Sequence, residues 1–436
     1  MSSERVNNGG NLQGALALYL QPRLLIVFVM GFASGLPLAL SSATLFFWLA
    51  ESGVALTAIG LFALVGTPYN IKFLWAPFID RVPLPLLTRR LGRRRSWMLV
   101  IQAGLMCAIL ALGFSEPESS PLLTAVCALA VAFFSASQDI VIDAYRIEIL
   151  DTDEQGAGAA MTQAGYRLGA IAAGAGALFL AEQIAWPLVY VFMAVLVTVG
   201  VIAALLAPDP EARNPQIAAG NTRPGLRGMV IDPFIEFFQR NGPVTACVIL
   251  VFILLYKLGD AYAGVMAYPF YYEMGFSKSE VATVSKLFGV AATVVGVFVG
   301  GLIVKRFGIL PSLLGCGILQ MLSNLMYAAQ SLAGHDVQFL YFTIGIENLS
   351  GGMGSSAFVA YLSVLCNIRY TATQFALFTS FMAFGRTLLS ASSGWVVEMT
   401  GWFDFFLIST VVALPGLLLL IWIMRNLPIT TQTRQL

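Results

Sequence analysis

The sequence predicts an all-α membrane protein with twelve transmembrane helices, arranged as two six-helix bundles around a central cavity. Of its 436 residues, 58% are hydrophobic and only 11% are charged, whereas a soluble domain usually has about a quarter charged residues. Apolar segments of spanning length recur along the chain, and one long polar stretch separates six of them from the next six. These three observations favour a membrane protein with two similar halves.

The apolar segments predict the individual helices. The first segment is too long for the core of a signal peptide, so we expect it to remain as a transmembrane helix. Each of the others is long enough to cross a hydrocarbon layer of about 30 Å. Helices one to twelve are predicted at roughly residues 24–50, 57–79, 96–114, 121–146, 156–181, 186–207, 244–272, 279–304, 309–330, 336–366, 371–398 and 402–424.

The lysines and arginines indicate the orientation. With both termini in the cytoplasm, the cytoplasmic segments hold eighteen of the 24 lysines and arginines, and the opposite side holds only Lys278. This asymmetry predicts a multi-pass protein with both termini cytoplasmic. The predicted domains are a cytoplasmic N-terminal tail (1–22), a first six-helix bundle (23–207), a cytoplasmic linker (208–243), a second six-helix bundle (244–425) and a cytoplasmic C-terminal tail (426–436).

Two bundles of equal orientation fit the parallel repeat of major facilitator transporters. The sequence contains an echo of this repeat, because Gln155 and Arg167 in helix five have the same spacing as Gln374 and Arg386 in helix eleven. Helices three, six, nine and twelve, which are peripheral in that fold, have no charge in their interiors. The other apolar segments contain Lys72, Asp139, Asp143, Arg167, Lys257, Asp260, Lys286, Glu347 and Arg386. Since charges are costly inside a membrane, we predict that they line a central cavity.

The cavity charges predict an anionic solute, because the cations outnumber the anions. Lys257 and Asp260 are three residues apart, so they also fit a pair that only neutralises itself. The predicted substrate-binding residues are Arg167, Lys257, Asp260, Lys286, Arg386, Gln138, Tyr166, Asn348 and Gln374.

Three carboxylates are candidates for proton coupling. Glu347 has no oppositely charged neighbour in the sequence, and a desolvated carboxylate of this kind is able to exchange a proton. Asp139 and Asp143 lie four residues apart on one face of helix four, where two negative charges are costly together. The two aspartates equally fit a gate that accepts hydrogen bonds from Arg146 without carrying protons.

A cytoplasmic gate is predicted from charged residues near the inner ends of helices two and four. The segment from Asp80 to Arg95 resembles the acidic and basic signature that major facilitators have between helices two and three. The predicted gate residues are Lys72, Asp80, Arg81 and Arg146. The arginines equally fit a simple anchor on the positive side of the membrane.

Two local patterns add further predictions. Three glycines between Ser350 and Gly354 predict a break or bend in helix ten beside Glu347. Aromatic residues end helix seven on its outer side and predict either a belt at the membrane interface or a stacking surface for a sugar. These aromatic residues are Tyr268, Phe270, Tyr271 and Tyr272.

Absent motifs limit the possible functions. The chain has no phosphate-binding loop and no G-x-S-x-G motif, and its one histidine, His335, excludes a metal site built from clustered histidines. A net charge of +1 without a basic stripe argues against nucleic acid as a partner. We therefore expect a secondary transporter that uses no cofactor and no metal and is not an enzyme. A membrane-embedded enzyme is the alternative from a different class.

Several segments together resemble the AmpG muropeptide permease family, and the resemblance extends from helix one to helix twelve. The segments that carry it are 31–38 (GFASGLPL), 72–81 (KFLWAPFIDR), 135–143 (SASQDIVID), 156–160 (GAGAA), 256–261 (YKLGDA), 347–354 (ENLSGGMG) and 373–377 (TQFAL).

The resemblance implies a bacterial inner-membrane permease that imports N-acetylglucosaminyl-1,6-anhydro-N-acetylmuramic acid, with or without its peptide, by proton symport. It also implies a role in peptidoglycan recycling and in β-lactamase induction. The expected partners are the anionic glycopeptide or disaccharide, protons and membrane lipid, and we expect a monomer. A facilitator for another anionic solute such as acetyl-CoA is the alternative, because acetyl-CoA transporters are more distant relatives of that family.

Overall fold

A computed structural model describes residues 17–54, 62–213, 226–390 and 392–426, and within these ranges the chain forms helices without any β-strand. Most of the two predicted tails and part of the predicted linker lie outside the described residues. The helices of the first half are α1 (Pro22–Leu40), α2 (Ala43–Glu51), α3 (Thr67–Ile71), α4 (Ala76–Arg81), α5 (Leu87–Leu91), α6 (Arg93–Gly113), α7 (Pro121–Ile149), α8 (Gln155–Ile171), α9 (Ala177–Ala181), α10 (Trp186–Leu196) and α11 (Thr198–Leu206).

The described part of the linker contains two helices, and the second half follows it directly. Proline lies in the first turn of α1, α7 and α10, where its missing N–H needs no partner. The linker helices are α12 (Pro210–Arg213) and α13 (Leu226–Asn241). The helices of the second half are α14 (Pro243–Leu255), α15 (Leu258–Glu273), α16 (Lys278–Val281), α17 (Gly289–Phe307), α18 (Ile309–Ala333), α19 (Val337–Leu365), α20 (Thr371–Ser390) and α21 (Ser393–Asn426).

Three predicted helices differ from the structure in their shape or bounds. Predicted helix two is a series of short turns in its described part, because Pro68 and Pro77 interrupt the regular hydrogen bonding. Predicted helix seven is divided into α14 and α15 by a turn at Tyr256 and Lys257. Predicted helix eleven ends at Ser390 and not at residue 398, and α21 begins at Ser393 and bends at Gly401, whose φ is 78°.

Nine helical stretches within the described residues are long and apolar enough to cross a membrane. Predicted helices two, ten and eleven are not among them, so the number twelve stays a prediction. The predicted bend in helix ten is wrong, because α19 continues through the glycines. A Cβ atom on Gly352 would lie 2.4 Å from the carbonyl oxygen of Thr293, so this glycine allows α19 to pack closely on α17.

The first half packs around a similar close contact. Gly35 of α1 faces the backbone of α8, where a Cβ atom would lie 2.0 Å from the carbonyl oxygen of Tyr166. Gly165 of α8 faces α1 in return, with a Cβ position 2.1 Å from the carbonyl oxygen of Phe28. Reciprocal glycines therefore hold the two helix backbones together.

We call the end of the molecule that carries α12 and α13 the linker end, and the opposite end the far end. One hydrophobic core crosses between the halves near the linker end, where Ile142 and Ala157 pack in the same cluster as Val297 and Ala376. Among the described residues, the hydrogen bonds and ion pairs between the two halves lie in the linker-end part of the molecule. The structure is therefore closed at the linker end.

Candidate functional site: a charged passage between the halves

The turn that divides α14 from α15 places Lys257 and Asp260 inside the second half. The ammonium nitrogen of Lys257 lies 3.8 Å from a carboxylate oxygen of Asp260 and donates to Gln320 Oε1 at 2.9 Å. It also lies 3.4 Å from the carbonyl oxygen of Gly351. Lys257 is thus held by groups from α15, α18 and α19.

Glu347 lies on α19 close to this lysine. Its carboxylate accepts a 2.5 Å hydrogen bond from the amide of the next residue, Asn348. The oxygen of the Asn348 amide in turn accepts from the hydroxyl of Thr293 at 2.8 Å. Asn348 therefore orients the Glu347 carboxylate and links α19 to α17.

Charges from both halves act on this region. Asp260, Lys257 and Arg167 are the charged groups that interact electrostatically with Glu347, and Arg167 comes from α8 in the first half. Arg386 of α20 interacts electrostatically with Lys257. Arg167 and Arg386 are both exposed. The arrangement brings five of the predicted residues to one region, which we call the charged region (Arg167, Lys257, Asp260, Glu347 and Arg386).

The first half has its own polar cluster around Asp139 of α7. The Ser34 hydroxyl of α1 donates to Asp139 at 2.5 Å, and Lys72 and Asp143 interact with the aspartate electrostatically. Tyr166 belongs to the same electrostatic cluster. Lys72 was predicted as part of a gate, but in the structure it interacts with Asp139, which was predicted to couple protons.

Gln138 lies beside Asp139 in the sequence but points into a buried position. It is fully buried, and neither polar atom of its amide has a hydrogen-bond partner. Such a group is costly without a partner. Gln138 is therefore available for a polar ligand or a water molecule.

Four buried residues at the linker end, three of them charged and one a threonine, form a cluster that joins the halves. We call this cluster the latch (Asp80, Arg94, Glu148 and Thr373). The carboxylate of Asp80 accepts from the backbone N–H groups of Ala372 and Thr373, at 3.1 and 2.7 Å, and from the Thr373 hydroxyl at 2.6 Å. These groups form the first turn of α20, where the helix dipole also favours a negative charge.

Arg94 balances the charge of the latch. Its guanidinium is fully buried and donates to Asp80 at 2.7 Å and to Glu148 at 2.5 Å. Burial opposes ionisation of Asp80, but Arg94 and Arg93 outweigh it and hold the pKa of that carboxyl below its usual range. Asp80 is therefore an ionised group that ties the first half to the second.

Arg146 and Arg81 make further contacts across the boundary between the two halves, which we call the seam. Arg146 is fully buried, donates to the Ser363 hydroxyl at 2.9 Å and lies 3.6 Å from Asp143. The guanidinium of Arg81 lies 4.6 Å from the ring centre of Tyr370. Asp143 thus faces an arginine of the seam, while Asp139 faces Ser34.

Gln374, a predicted substrate-binding residue, is not brought to the charged region. The Gln374 amide lies at the linker end, where it donates to the Pro233 carbonyl and to Glu236 of α13 and accepts from the backbone of Asn367. The side chain of Lys286 lies outside the described residues. Of the aromatic residues at the end of helix seven, Phe270 and Tyr271 are buried inside the bundle.

Several residues that complete the site were missed from the sequence. Ser34, Thr293, Gln320 and Asn324 are uncharged, so the search for charges inside apolar segments passed over them. Their signal was weaker: an amide or hydroxyl in a helix that is otherwise apolar. Gln320 and Asn324 lie on α18, which corresponds to a predicted peripheral helix without charges.

The arrangement is two helical halves, closed on each other at one end, with charges from both halves meeting between them. This defines a membrane transporter of the facilitator type. The family model of the Major Facilitator Superfamily matches residues 23–327. Two solved structures have the same fold: the proton:xylose symporter XylE, with a TM-score of 0.62 and 13% identity over 96% of this chain and 97% of that one, and the human organic anion transporter MFSD10, with a TM-score of 0.63 and 15% identity over 93% and 98%.

Proteins with similar sequences show to which family of membrane transporters the chain belongs. The chain is 43% identical to the anhydromuropeptide permease of Escherichia coli K12 over 95% of its own length and 82% of that protein. It is 34% identical to the putative transporter AmpG 4 of Rickettsia felis over 93% of its length and 97% of that protein. The chain belongs to the Major Facilitator Superfamily and, within it, to the AmpG permease family. It is a membrane transporter and not an enzyme.

Proposed function

We propose that this protein carries anhydromuropeptides across the bacterial inner membrane into the cytoplasm, coupled to protons. The observation that carries the proposal is the meeting of Arg167 from the first half with Lys257 and Glu347 from the second half. Such a region attracts an anionic solute, because cations from two bodies act on one space. The 43% identity to the E. coli anhydromuropeptide permease supports the identity of that solute.

Alternating access is the proposed mechanism. The two six-helix bundles, residues 23–207 and 244–425, rock against each other around the charged region. Asp80, Arg81 and Arg146 hold the linker end shut, so that the solute enters from the far end. The linker end and both termini face the cytoplasm, in line with the excess of lysine and arginine on that side. The latch separates when the solute is released.

The proposed division of roles follows from the contacts. Arg167, Lys257 and Arg386 bind the carboxylates of the solute, while Asn348 keeps Glu347 oriented towards them. Glu347 and Asp139 exchange the coupled proton, because a desolvated carboxylate is able to take up a proton. Asn348 and Ser34 donate hydrogen bonds that orient the two carboxylates. Asp143 acts with Arg146 at the seam.

The substrate is tested by uptake of labelled anhydromuropeptide into cells that lack their own permease, with the unlabelled disaccharide and acetyl-CoA as competitors. We expect competition by the disaccharide and none by acetyl-CoA. The reverse pattern would replace the muropeptide with another anionic solute, and recovery of a chemically altered product would contradict transport.

Proton coupling is tested in proteoliposomes by proton uptake on addition of the substrate. Glu347→Gln and Asp139→Asn should each abolish the proton signal, while Asp143→Asn should retain it. A Lys257→Met variant should raise KM roughly tenfold, the usual scale for loss of one charge-assisted contact. If all three carboxylate variants take up protons like the wild type, the coupling sites lie elsewhere.

A further inference from the structure

A small cavity lies in the second half, next to Asp260 and Gln320, the side-chain partners of Lys257. It has a volume of about 10 Å³ and is lined by polar groups of α15 and α18 and by apolar residues of α21. The lining residues that matter here are Tyr256, Asp260, Gln320, Asn324 and Leu417. A cavity of this size is close to the space that the centre of one water molecule needs.

Two amides that line this cavity have polar atoms without hydrogen-bond partners. Asn324 is 1% exposed, and neither its Oδ1 nor its Nδ2 atom has a hydrogen-bond partner. The Nε2 atom of Gln320 is buried and equally without a partner. Buried amides of this kind are normally paired, either with protein groups or with an ordered water molecule. A carboxylate of Asp260 lines the same space.

The orientation of the Gln320 amide decides where Lys257 can lie. Gln320 Oε1 accepts from the lysine ammonium at 2.9 Å, whereas an amide turned by half a rotation would present N–H groups to a cation. Lys257 itself favours the orientation in which Oε1 faces the ammonium group and Nε2 turns away from it. An acceptor in the cavity favours the same orientation, since it receives the Nε2–H hydrogen bond. A cation fits less well there, because Gln320 offers it only N–H groups and Lys257 is adjacent.

Gly354 makes the contact between Gln320 and Lys257 possible. A Cβ atom on this glycine would lie 2.6 Å from Gln320 Oε1 and 3.6 Å from the ammonium nitrogen of Lys257. Any larger residue at this position would push the amide away from the lysine. The lysine, the amide and the cavity thus form one packed unit on the wall of the charged region.

We propose that the cavity binds one water molecule, which accepts from Gln320 Nε2 and bonds to Asn324, and that Gln320 and Asn324 are positioning residues for Lys257. The water fixes the amide of Gln320, and the amide fixes the ammonium group between Asp260 and Glu347. Lys257 thereby presents its charge to the solute. This inference rests on the proposed role of Lys257 in binding an anionic solute.

The test compares the uptake kinetics of four variants with labelled anhydromuropeptide in proteoliposomes. Gln320→Met keeps the length of the side chain but removes the acceptor, so we expect KM to rise roughly tenfold and the maximal rate to stay within about twofold. Asn324→Leu removes the partner of the water and should raise KM roughly threefold.

Ser323→Ala is the matched control. Ser323 is also buried on α18, but its hydroxyl bonds only to the carbonyl of Gln320 in its own helix, so its KM should be unchanged. An unchanged KM in Gln320→Met, or a loss of thermal stability and maximal rate with the KM of the wild type, would reduce Gln320 to a structural residue and overturn the inference.

The KM values of Lys257→Met and Gln320→Met together distinguish failure of this inference from failure of the proposed function. If Lys257→Met raises KM and Gln320→Met does not, only the positioning role fails. If neither variant changes KM, binding of the solute by Lys257 fails as well. A high-resolution map of the wild-type protein should contain a peak about 3 Å from both Gln320 Nε2 and Asn324, and an empty cavity would overturn the water site.

Discussion

The latch at the linker end and the charged region between the halves contain the same kinds of residue but use them differently. In the latch, Arg94 joins two buried carboxylates, and Asp80 accepts three further hydrogen bonds from α20. In the charged region, Arg167 and Arg386 are exposed and form no ion pair within the described part of the chain. The latch residues are buried and bonded across the two halves, which stabilises the closed conformation, whereas the exposed arginines of the charged region remain free to bind a solute.

The largest expected effect comes from removal of the central cation of the latch. Arg94→Met strands the carboxylates of Asp80 and Glu148 in a buried site, and breaking a buried ion pair costs about 3–5 kcal/mol. We expect a large fall in melting temperature and in the yield of monodisperse protein in detergent. Arg95→Met is the matched control on the same helix, because Arg95 bonds only to the carbonyls of Ala204 and Leu205. Equal losses in the two variants would show that the latch is not a special site.

The next largest effect concerns the bond between the halves. Asp80→Asn keeps the shape of the side chain but removes the charge that faces the first turn of α20, so the closed linker end should be populated less. We expect uptake to fall roughly tenfold, on the scale of a charge-assisted hydrogen bond. Spin labels at Arg89 and Arg306, which are exposed at the linker end in opposite halves, should report a longer distance.

Asp153→Asn is the control for this variant. Asp153 also joins the halves, through Lys305, but the side chains of Asp153 and Lys305 are 63% and 35% exposed. Exposed ion pairs contribute little, so uptake should stay within about twofold of the wild type. If Asp153→Asn lost as much uptake as Asp80→Asn, burial would not be the reason for the strength of the latch.

The comparison also explains which features the sequence could predict. Charges within apolar segments are rare and costly, so Lys257, Glu347 and Arg167 were predicted as site residues from their positions alone. In the structure, Lys257 and Arg167 both interact electrostatically with Glu347. The partner of Asp80 was not predictable in the same way. Thr373 is 293 residues away, and neither spacing nor composition links the two.

Glycine and amide residues show a second limit of prediction from the sequence. The glycines between Ser350 and Gly354 have the composition of a helix break, but α19 stays regular because those residues face α17 and Gln320. Gln374 repeats the spacing of Gln155 to Arg167, yet its amide bonds to the linker helix α13. Tertiary neighbours decided the role of both, and a single sequence does not reveal them.

A smaller effect on stability is expected in the charged region, where a cation can be removed without stranding a buried partner. Arg167→Met should change the free energy of unfolding by less than about 1 kcal/mol, as for other exposed charges. Uptake should nevertheless fall, with KM raised roughly tenfold. Melting curves and uptake kinetics on the same preparation check this. A large fall in melting temperature would mean that Arg167 is part of the structural core and would remove the contrast with Arg94.

The smallest expected effect is at the far end, where Glu280 shows what an exposed carboxylate contributes. The backbone N–H and the hydroxyl of Ser277, followed by His335, lower the pKa of Glu280 to about 2. A carboxylate with a lowered pKa stabilises the folded state above its ordinary value of about 4.5, and that contribution is lost as the pH falls towards 2. The difference in melting temperature between the wild type and Glu280→Gln should therefore be small, and it should be smaller below about pH 4 than between pH 6 and pH 8. A difference that stays the same or grows as the pH falls from 6 to about 3 would contradict this assignment, because protonation of Glu280 should remove its contribution.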